Sequence, residues 1–152
     1  MFAYAIKKML FPLFGSLLVI IPVFGLAQVP LAHIDNAVFY RPGGNPFTEV
    51  YIKIPASALS YKELKGGKYQ AGAKINLKVA KNGEVQYHKR YIIKSPELSD
   101  TSVVDHVMRD QRNIPLQGEG SYTLYFAIQD VYDSTNKAFT KKVINAQFPE
   151  DQ

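Results

Sequence analysis

The sequence of 152 residues contains no cysteine and no tryptophan. Small exported domains often depend on disulfides, so a chain without cysteine must gain its stability from packing. The absence of cysteine also excludes a lipid anchor attached to a cysteine thiol. The absence of tryptophan removes one common platform for stacking sugar rings and leaves that role to tyrosine and phenylalanine.

Residue patterns typical of catalytic sites are also scarce. The three histidines are scattered, and the sequence contains no Gly-x-Ser-x-Gly elbow. Asp105 and His106 are adjacent, so in a strand they would point to opposite faces and form no dyad. The acidic residues show no spacing that identifies a glycosidase pair, and Gly66-Gly67-Lys68 lacks the Walker spacing. We therefore predict that the protein is not an enzyme and has no catalytic residues.

Two short patterns contain groups that can bind metals. His33 and Asp35 would share one face of a strand, and Asp130, Asp133 and Asn136 would lie in a turn. The second pattern lacks the spacing, glycine and terminal glutamate of an EF-hand. Asp and Asn are common in turns because they hydrogen-bond the local backbone. We expect no metal site and no cofactor.

The amino-terminal residues have the organisation of an export signal. A pair of lysines at positions 7 and 8 precedes an apolar stretch, Met9 to Phe24, and the small-residue exit Gly25-Leu26-Ala27. We predict a signal peptide over residues 1–27, cleaved before Gln28. A retained anchor is the alternative, because the apolar stretch approaches the roughly 18 to 20 residues that span a bilayer. The small exit residues and a nearby proline favour removal.

Cleavage would leave 125 residues, which suits one domain. Without Lys7 and Lys8 the chain has 16 basic and 13 acidic residues, a net charge of +3. This mild charge gives little support to nucleic-acid binding, which requires a concentrated basic stripe. We predict a lead-in at 28–35, a domain at 36–148 and a tail at 149–152. The product would be periplasmic or extracellular, with no membrane span after cleavage.

The clearest structural pattern lies between Tyr69 and Tyr91. Two alternating segments flank Asn82-Gly83, the dipeptide preferred in a two-residue type I′ hairpin turn. On the first arm, alternate residues from Tyr69 to Val79 form an apolar face. The residues that would continue this face on the second arm are Val85, Tyr87, Tyr91 and Ile93. Lys89 interrupts the pattern, which indicates a bulge or an edge position.

Other segments also alternate or are rich in β-branched and aromatic residues. They predict strands at 31–40, 47–54, 59–64, 103–116, 122–129 and 138–148. No segment shows a helical period. About seven to eight short strands between Gly, Pro and Asn turns predict an all-β, immunoglobulin-like or fibronectin-type antiparallel β-sandwich. Leu116 to Tyr122 is similar to a tyrosine corner, with an ordinary core tyrosine as the alternative.

Cations and tyrosines suggest a candidate interaction surface. Basic residues cluster around the central hairpin, and two tyrosines are predicted on the outer faces of other strands. Such residues could bind an acidic polysaccharide or a protein through stacking, cation–π contacts and ion pairs. A solvated face protected by lysines against edge pairing is the alternative. The candidate residues are Tyr51, Lys74, Lys78, Arg90 and Tyr125.

Several segments carry a family resemblance: Phe39-Tyr40, Asn45-Pro46-Phe47-Thr48-Glu49-Val50-Tyr51-Ile52, Lys68-Tyr69-Gln70-Ala71, Tyr91 to Asp100, and Gln111-Arg112 to Tyr122. In this order they resemble the amino-terminal β-sandwich of secreted GWxTD-domain-containing proteins of Bacteroidota. The Gly-Trp-x-Thr-Asp region that names those proteins is missing here. The resemblance implies an extracytoplasmic, immunoglobulin-like domain of a Gram-negative envelope and transfers no active-site residue.

Residues and resemblance together predict a non-enzymatic module of the bacterial cell envelope that binds proteins or has a structural role. A carbohydrate-binding module that uses exposed tyrosines and basic residues is the alternative. The expected partners are envelope proteins, with polysaccharide as the alternative. A sugar binder should present coplanar exposed aromatics in a groove, whereas a protein binder exposes an apolar patch or an unpaired strand edge.

Overall fold

The computed structural model describes residues 31–102 and 104–147. The strands are β1 His33–Phe39, β2 Phe47–Pro55, β3 Tyr61–Glu63, β4 Tyr69–Lys81, β5 Glu84–Lys94, β6 Val107–Pro115, β7 Gly120–Asp130 and β8 Lys137–Ala146. A 3-10 helix, Ala56–Ala58, follows β2. The predicted signal peptide and the tail at 149–152 lie outside the described residues. β1 begins at His33, whereas the sequence-based domain boundary lies at Asn36.

The strands form two antiparallel sheets. The first has the order β1-β2-β6, and the second has the order β3-β4-β7-β8, with β5 also paired to β4. The chain passes from the first sheet to the second after β2, returns for β6 and crosses again to β7. Such crossings between facing sheets are typical of immunoglobulin-like sandwiches. The predicted fold class is confirmed.

Most predicted strands occur close to their predicted limits, and two are shorter. The segment at 59–64 contributes only Tyr61–Glu63, and the segment at 103–116 becomes strand only from Val107. Among the described residues, no helix is long and apolar enough to cross a membrane.

The core lies between the sheets and follows the alternation of the sequence. Alternate residues of β4 are buried, as the hairpin pattern predicted: Ala71, Ala73, Ile75, Leu77 and Val79. The facing sheet contributes Val50, Ile52 and Ile54 from β2, all almost fully buried. Burying an aliphatic side chain of this size contributes about 1.5–3 kcal/mol, so packing alone can hold a domain without disulfides.

The β4–β5 hairpin has the predicted turn. Asn82 and Gly83 have φ angles of 51° and 85°, as a type I′ turn requires. The register shifts between Val79 and Ala80, because Val79 pairs with Tyr87 whereas Ala80 pairs with Val85. One residue of β5 is therefore extra, and β5 pairs only with β4 within the described residues.

This bulge overturns one expectation about the hairpin. Val85 was predicted on the buried face, but it is exposed. A single extra residue reverses the side on which the following side chains lie. Val85 thus sits opposite Ala80, on the outer face of the sheet.

The corner before β7 matches the tyrosine-corner prediction. Tyr122 is buried near the start of the strand, and its hydroxyl donates a hydrogen bond to the carbonyl of Gly118 at 2.7 Å. Gly118 has a φ of 74°, a conformation that glycine adopts without strain. The turn and the buried ring thereby fix each other.

Polar contacts join the two sheets at both open sides of the sandwich. On one side Lys142 of β8 donates to Asp35 of β1 at 3.0 Å. On the other side the Tyr91 hydroxyl of β5 donates to Asp110 of β6 at 2.6 Å, and Arg112 donates to the same carboxylate at 2.8 Å. These contacts hold the edge strands of facing sheets together.

Candidate functional site

Cross-strand pairing brings four of the five predicted surface residues onto one face. Lys78 lies opposite Tyr125 across the β4–β7 pair. On the other side of β4, Lys74 pairs with Ile92, and Arg90 pairs with Asn76 two positions along. Directly opposite residues of antiparallel strands share a face, and the alternate residues of β4 are buried. The four residues therefore lie on the outer face of the second sheet.

Tyr51, the fifth predicted residue, lies elsewhere. It is on the outer face of the first sheet, paired with Asp35 on one side and Gln111 on the other. Its hydroxyl donates to Glu49, which also accepts from Gln111 at 3.0 Å. The hydrogen bond to Glu49 raises the pKa of Tyr51, because the carboxylate favours the protonated phenol. Tyr51 is thus separated from the other four.

The outer face around the four residues consists of rows that run across β5, β4, β7 and β8. From the β5 side, the rows are Ile92-Lys74-Gln129-Lys137, Arg90-Asn76-Ala127-Phe139, His88-Lys78-Tyr125-Lys141 and Val85-Ala80-Thr123-Val143. We call this surface, together with Lys94 at its end, the basic face.

The charge of the basic face has one sign. Its cations are Lys74, Lys78, Arg90, Lys94, Lys137 and Lys141, and its rows contain no Asp or Glu. The ion pairs formed by Lys68, Arg112 and Lys142 all lie outside these rows. Neighbouring cations without carboxylates between them produce a positive potential that attracts anionic groups.

Apolar side chains stand among these cations. Phe139 is 65% exposed, Val143 62%, Ile92 52% and Val85 51%. A single exposed apolar residue on a protein surface needs no explanation, but this face carries four of them, two on β5 and two on β8. The basic face is therefore both cationic and apolar, which is the composition of many binding surfaces.

A shallow groove of about 1020 Å³ crosses this face. Ala127 and Asn76, two of the smaller side chains, lie along it, while Lys74, Arg90 and Phe139 are among the larger residues that line it. The groove exists because a row with a small residue on β7 is flanked by rows with longer side chains on both sides.

Cations occupy the ring face of Tyr125. The Lys78 ammonium lies 4.3 Å from the centre of the ring and that of Lys141 lies 5.7 Å from it. The ring of Phe139 is 6.4 Å away, centre to centre, and tilted by 33°. A ligand would meet Phe139 and the ammonium groups before it met the face of Tyr125.

The β8 side of the basic face was not among the surface residues predicted from the sequence. Phe139, Lys137 and Lys141 were not selected, although strand β8 was predicted in that region. The alternation Lys137, Phe139, Lys141, Val143 was a readable signal for an outer face. The missing information was that β8 pairs with β7 and so extends the surface around Tyr125.

The two possible metal-binding patterns have structural roles. His33 and Asp35 do share the outer face of β1, but Asp35 is paired with Lys142, and that hydrogen bond lowers its pKa. Asp130 is buried and accepts from the backbone amides of Ser60 at 2.6 Å and Tyr132 at 2.8 Å. Among the described residues, no group of three or more His, Cys, Asp or Glu is placed to hold a metal ion.

Comparison with known proteins gives no relative from which a role could be transferred. No protein-family model matches the chain, and neither the curated proteins nor the solved structures give a match. The resemblance to the GWxTD-associated module stays a prediction, and the function must be argued from the geometry of the basic face.

Proposed function

We propose that this protein is a non-enzymatic, exported module of the bacterial cell envelope that binds another protein through the basic face. The observation that carries the proposal is the exposure of Phe139, Val143 and Ile92 beside a row of unopposed cations. Apolar side chains interspersed with charged residues on one exposed face are typical of protein interfaces. The predicted signal peptide supports the location.

The alternative, carbohydrate binding, has one observation in its favour. The groove contains an exposed aromatic ring, Phe139, next to cations that suit an acidic sugar. A sugar platform, however, needs open and coplanar rings. Tyr125, the neighbouring aromatic residue, has an ammonium group over its face and is tilted relative to Phe139. The basic face is better suited to the mixed apolar and charged side chains of a protein.

The proposal is tested by affinity capture from an envelope extract of the source bacterium with quantitative mass spectrometry. The bait is the wild-type protein, compared with a variant that combines Phe139→Ser and Val143→Ser. Both replaced side chains are more than half exposed, so the fold should be retained. We expect a protein captured by the wild type to lose most of its signal with the variant.

A matched control is Tyr51→Ser, which alters the outer face of the opposite sheet. It should capture the same protein as the wild type. If the double variant captures the same proteins at the same level, the basic face is not the binding surface. A glycan array run with the same three proteins decides the alternative, because binding to glycans that requires Phe139 would favour the carbohydrate module.

A further inference from the structure

We infer that the segment of the partner that occupies the basic face is an acidic polypeptide that also carries apolar side chains. This inference rests on the proposed function and specifies the chemistry of the partner. Its starting point is that the basic face holds six cations, five in its rows and Lys94 at its end, and that the rows contain no carboxylate.

The positions of four lysines define the space for such a segment. Lys74 and Lys137 belong to one row, and Lys78 and Lys141 belong to another. In each row the two lysines lie on strands two positions apart in the sheet, which is about 10 Å. The two rows are separated by four residues along a strand, which is about 13 Å. Ala127 lies at the centre of this rectangle. A polypeptide segment fits within it and can direct carboxylates to both rows.

The centre of the rectangle requires more than charge. Between the two lysine rows lie Ala127 and the exposed ring of Phe139, and Ile92 and Val143 stand at the corners of the face. A polymer with only charged groups would leave these apolar side chains exposed to water or place its own charged groups against them. A segment that alternates acidic and apolar residues satisfies both parts of the surface.

The same charges argue against a second copy of this chain as the occupant. Two basic faces in contact would place six cations against six, with no carboxylate in either set of rows. Like charges brought together at an interface oppose association strongly. A symmetric contact between two basic faces is therefore disfavoured, and an acidic surface is the complementary one.

The test measures fluorescence anisotropy of short labelled peptides with the full 152-residue chain, purified after expression. The first probe alternates glutamate with leucine and phenylalanine, the second has every glutamate replaced by lysine, and the third is polyglutamate. We expect the first to bind more than about tenfold more tightly than the other two. Its affinity should fall as salt is raised, because exposed charges are screened.

Charge reversal locates the site. A variant with Lys74→Glu and Lys137→Glu should bind the first peptide at least about tenfold more weakly. Lys53→Glu is the matched control, since Lys53 is an exposed lysine on the outer face of the other sheet, and it should change the affinity little. Circular dichroism and thermal unfolding check that all three proteins are folded.

The outcomes separate this inference from the proposed function. One outcome is that capture of the partner requires Phe139 and Val143 while the Lys74→Glu, Lys137→Glu variant binds both the partner and the first peptide as tightly as the wild type. In that case the partner is not acidic, and the proposed function stands. Equal binding of polyglutamate and the first peptide overturns the apolar part of the inference. Stronger binding of polygalacturonate, tested in the same assay, overturns the polypeptide in favour of an acidic sugar. If the variant with Phe139→Ser and Val143→Ser captures the same proteins as the wild type, both proposals are wrong.

Discussion

Three tyrosine hydroxyls in this protein have different structural roles. Tyr122 fixes the corner before β7, Tyr51 binds a carboxylate on the surface, and Tyr91 links β5 to β6 through Asp110. The Tyr91 ring also lies beneath the guanidinium of Arg112, which is 4.4 Å from its centre. Tyr91 therefore takes part in both a half-buried hydrogen bond and a cation–π contact.

Tyr91 makes stability sensitive to alkaline pH. Burial raises its pKa above the ordinary value of 10.0, and the hydrogen bond to Asp110 raises it further. A group whose pKa is higher in the folded state than in the unfolded state contributes its full stabilisation at any pH below its unfolded pKa. That contribution is lost as pH rises above about 10 toward the folded pKa.

We therefore expect Tyr91→Phe to flatten the alkaline loss of stability. At neutral pH the variant should be less stable by about 1 kcal/mol, since a hydrogen bond is lost. Between pH 10 and 11 its stability should decline less steeply than that of the wild type. Urea unfolding at a series of pH values measures both effects. Parallel curves for the two proteins would show that Tyr91 does not cause the decline.

Among the structural elements, the alternation of the sequence identified the buried face of regular strands such as β4, but not which strands distant in sequence are neighbours. The buried face of β4 followed directly from its period of two. Tyr125 reached the basic face because β7 pairs with β4, and Tyr51 was separated from it because β2 belongs to the other sheet. Pairing between distant strands depends on the whole fold, so a local pattern does not reveal it.

The β5 bulge illustrates the same limit within one hairpin. Lys89 correctly indicated an irregular edge strand, but the register shift lies nearer the turn, opposite Val79. Because the extra residue lies between Tyr87 and Val85, the strand reverses its faces there. The sequence carried the signal of a bulge without its position, so Val85 was assigned to the wrong side.

The hairpin turn between β4 and β5 should be sensitive to the loss of its glycine. Gly83 has a φ of 85°, and a Cβ added there would meet no atom within 4 Å, so only the backbone conformation opposes a side chain. We expect Gly83→Ala to lower the free energy of unfolding by about 1 kcal/mol. Gly44→Ala is the control, because Gly44 also lies in a turn but has no positive φ. Denaturant unfolding should show little change for the control; equal losses would contradict the explanation.

At the scale of the whole molecule, a hierarchy of local stability follows from the strand order. β4 and β7 have neighbours on both edges, whereas β1 and β5 each pair with a single strand within the described residues. The contacts Lys142–Asp35 and Tyr91–Asp110 connect the edges of facing sheets. Edge strands with half-exposed backbones open locally at lower free energy than central strands.

Native-state hydrogen exchange tests this hierarchy. Backbone amides in the middle of β4 and β7, such as those of Leu77 and Leu124, should exchange only through global unfolding. Amides of β1 that donate to the backbone of β2 should exchange through local opening with a lower free energy. Equal protection of β1 and β4 would mean that the contacts between sheet edges make the sandwich a single cooperative unit.

The basic face also gives the molecule an electrical polarity. The outer face of the first sheet mixes Asp35 and Glu49 with Lys53 and Arg109, whereas the rows of the basic face contain cations without acids. A molecule with its excess charge on one side experiences a torque near an acidic surface. It would rotate before contact so that the basic face leads, and fewer encounters would be lost to unproductive orientations.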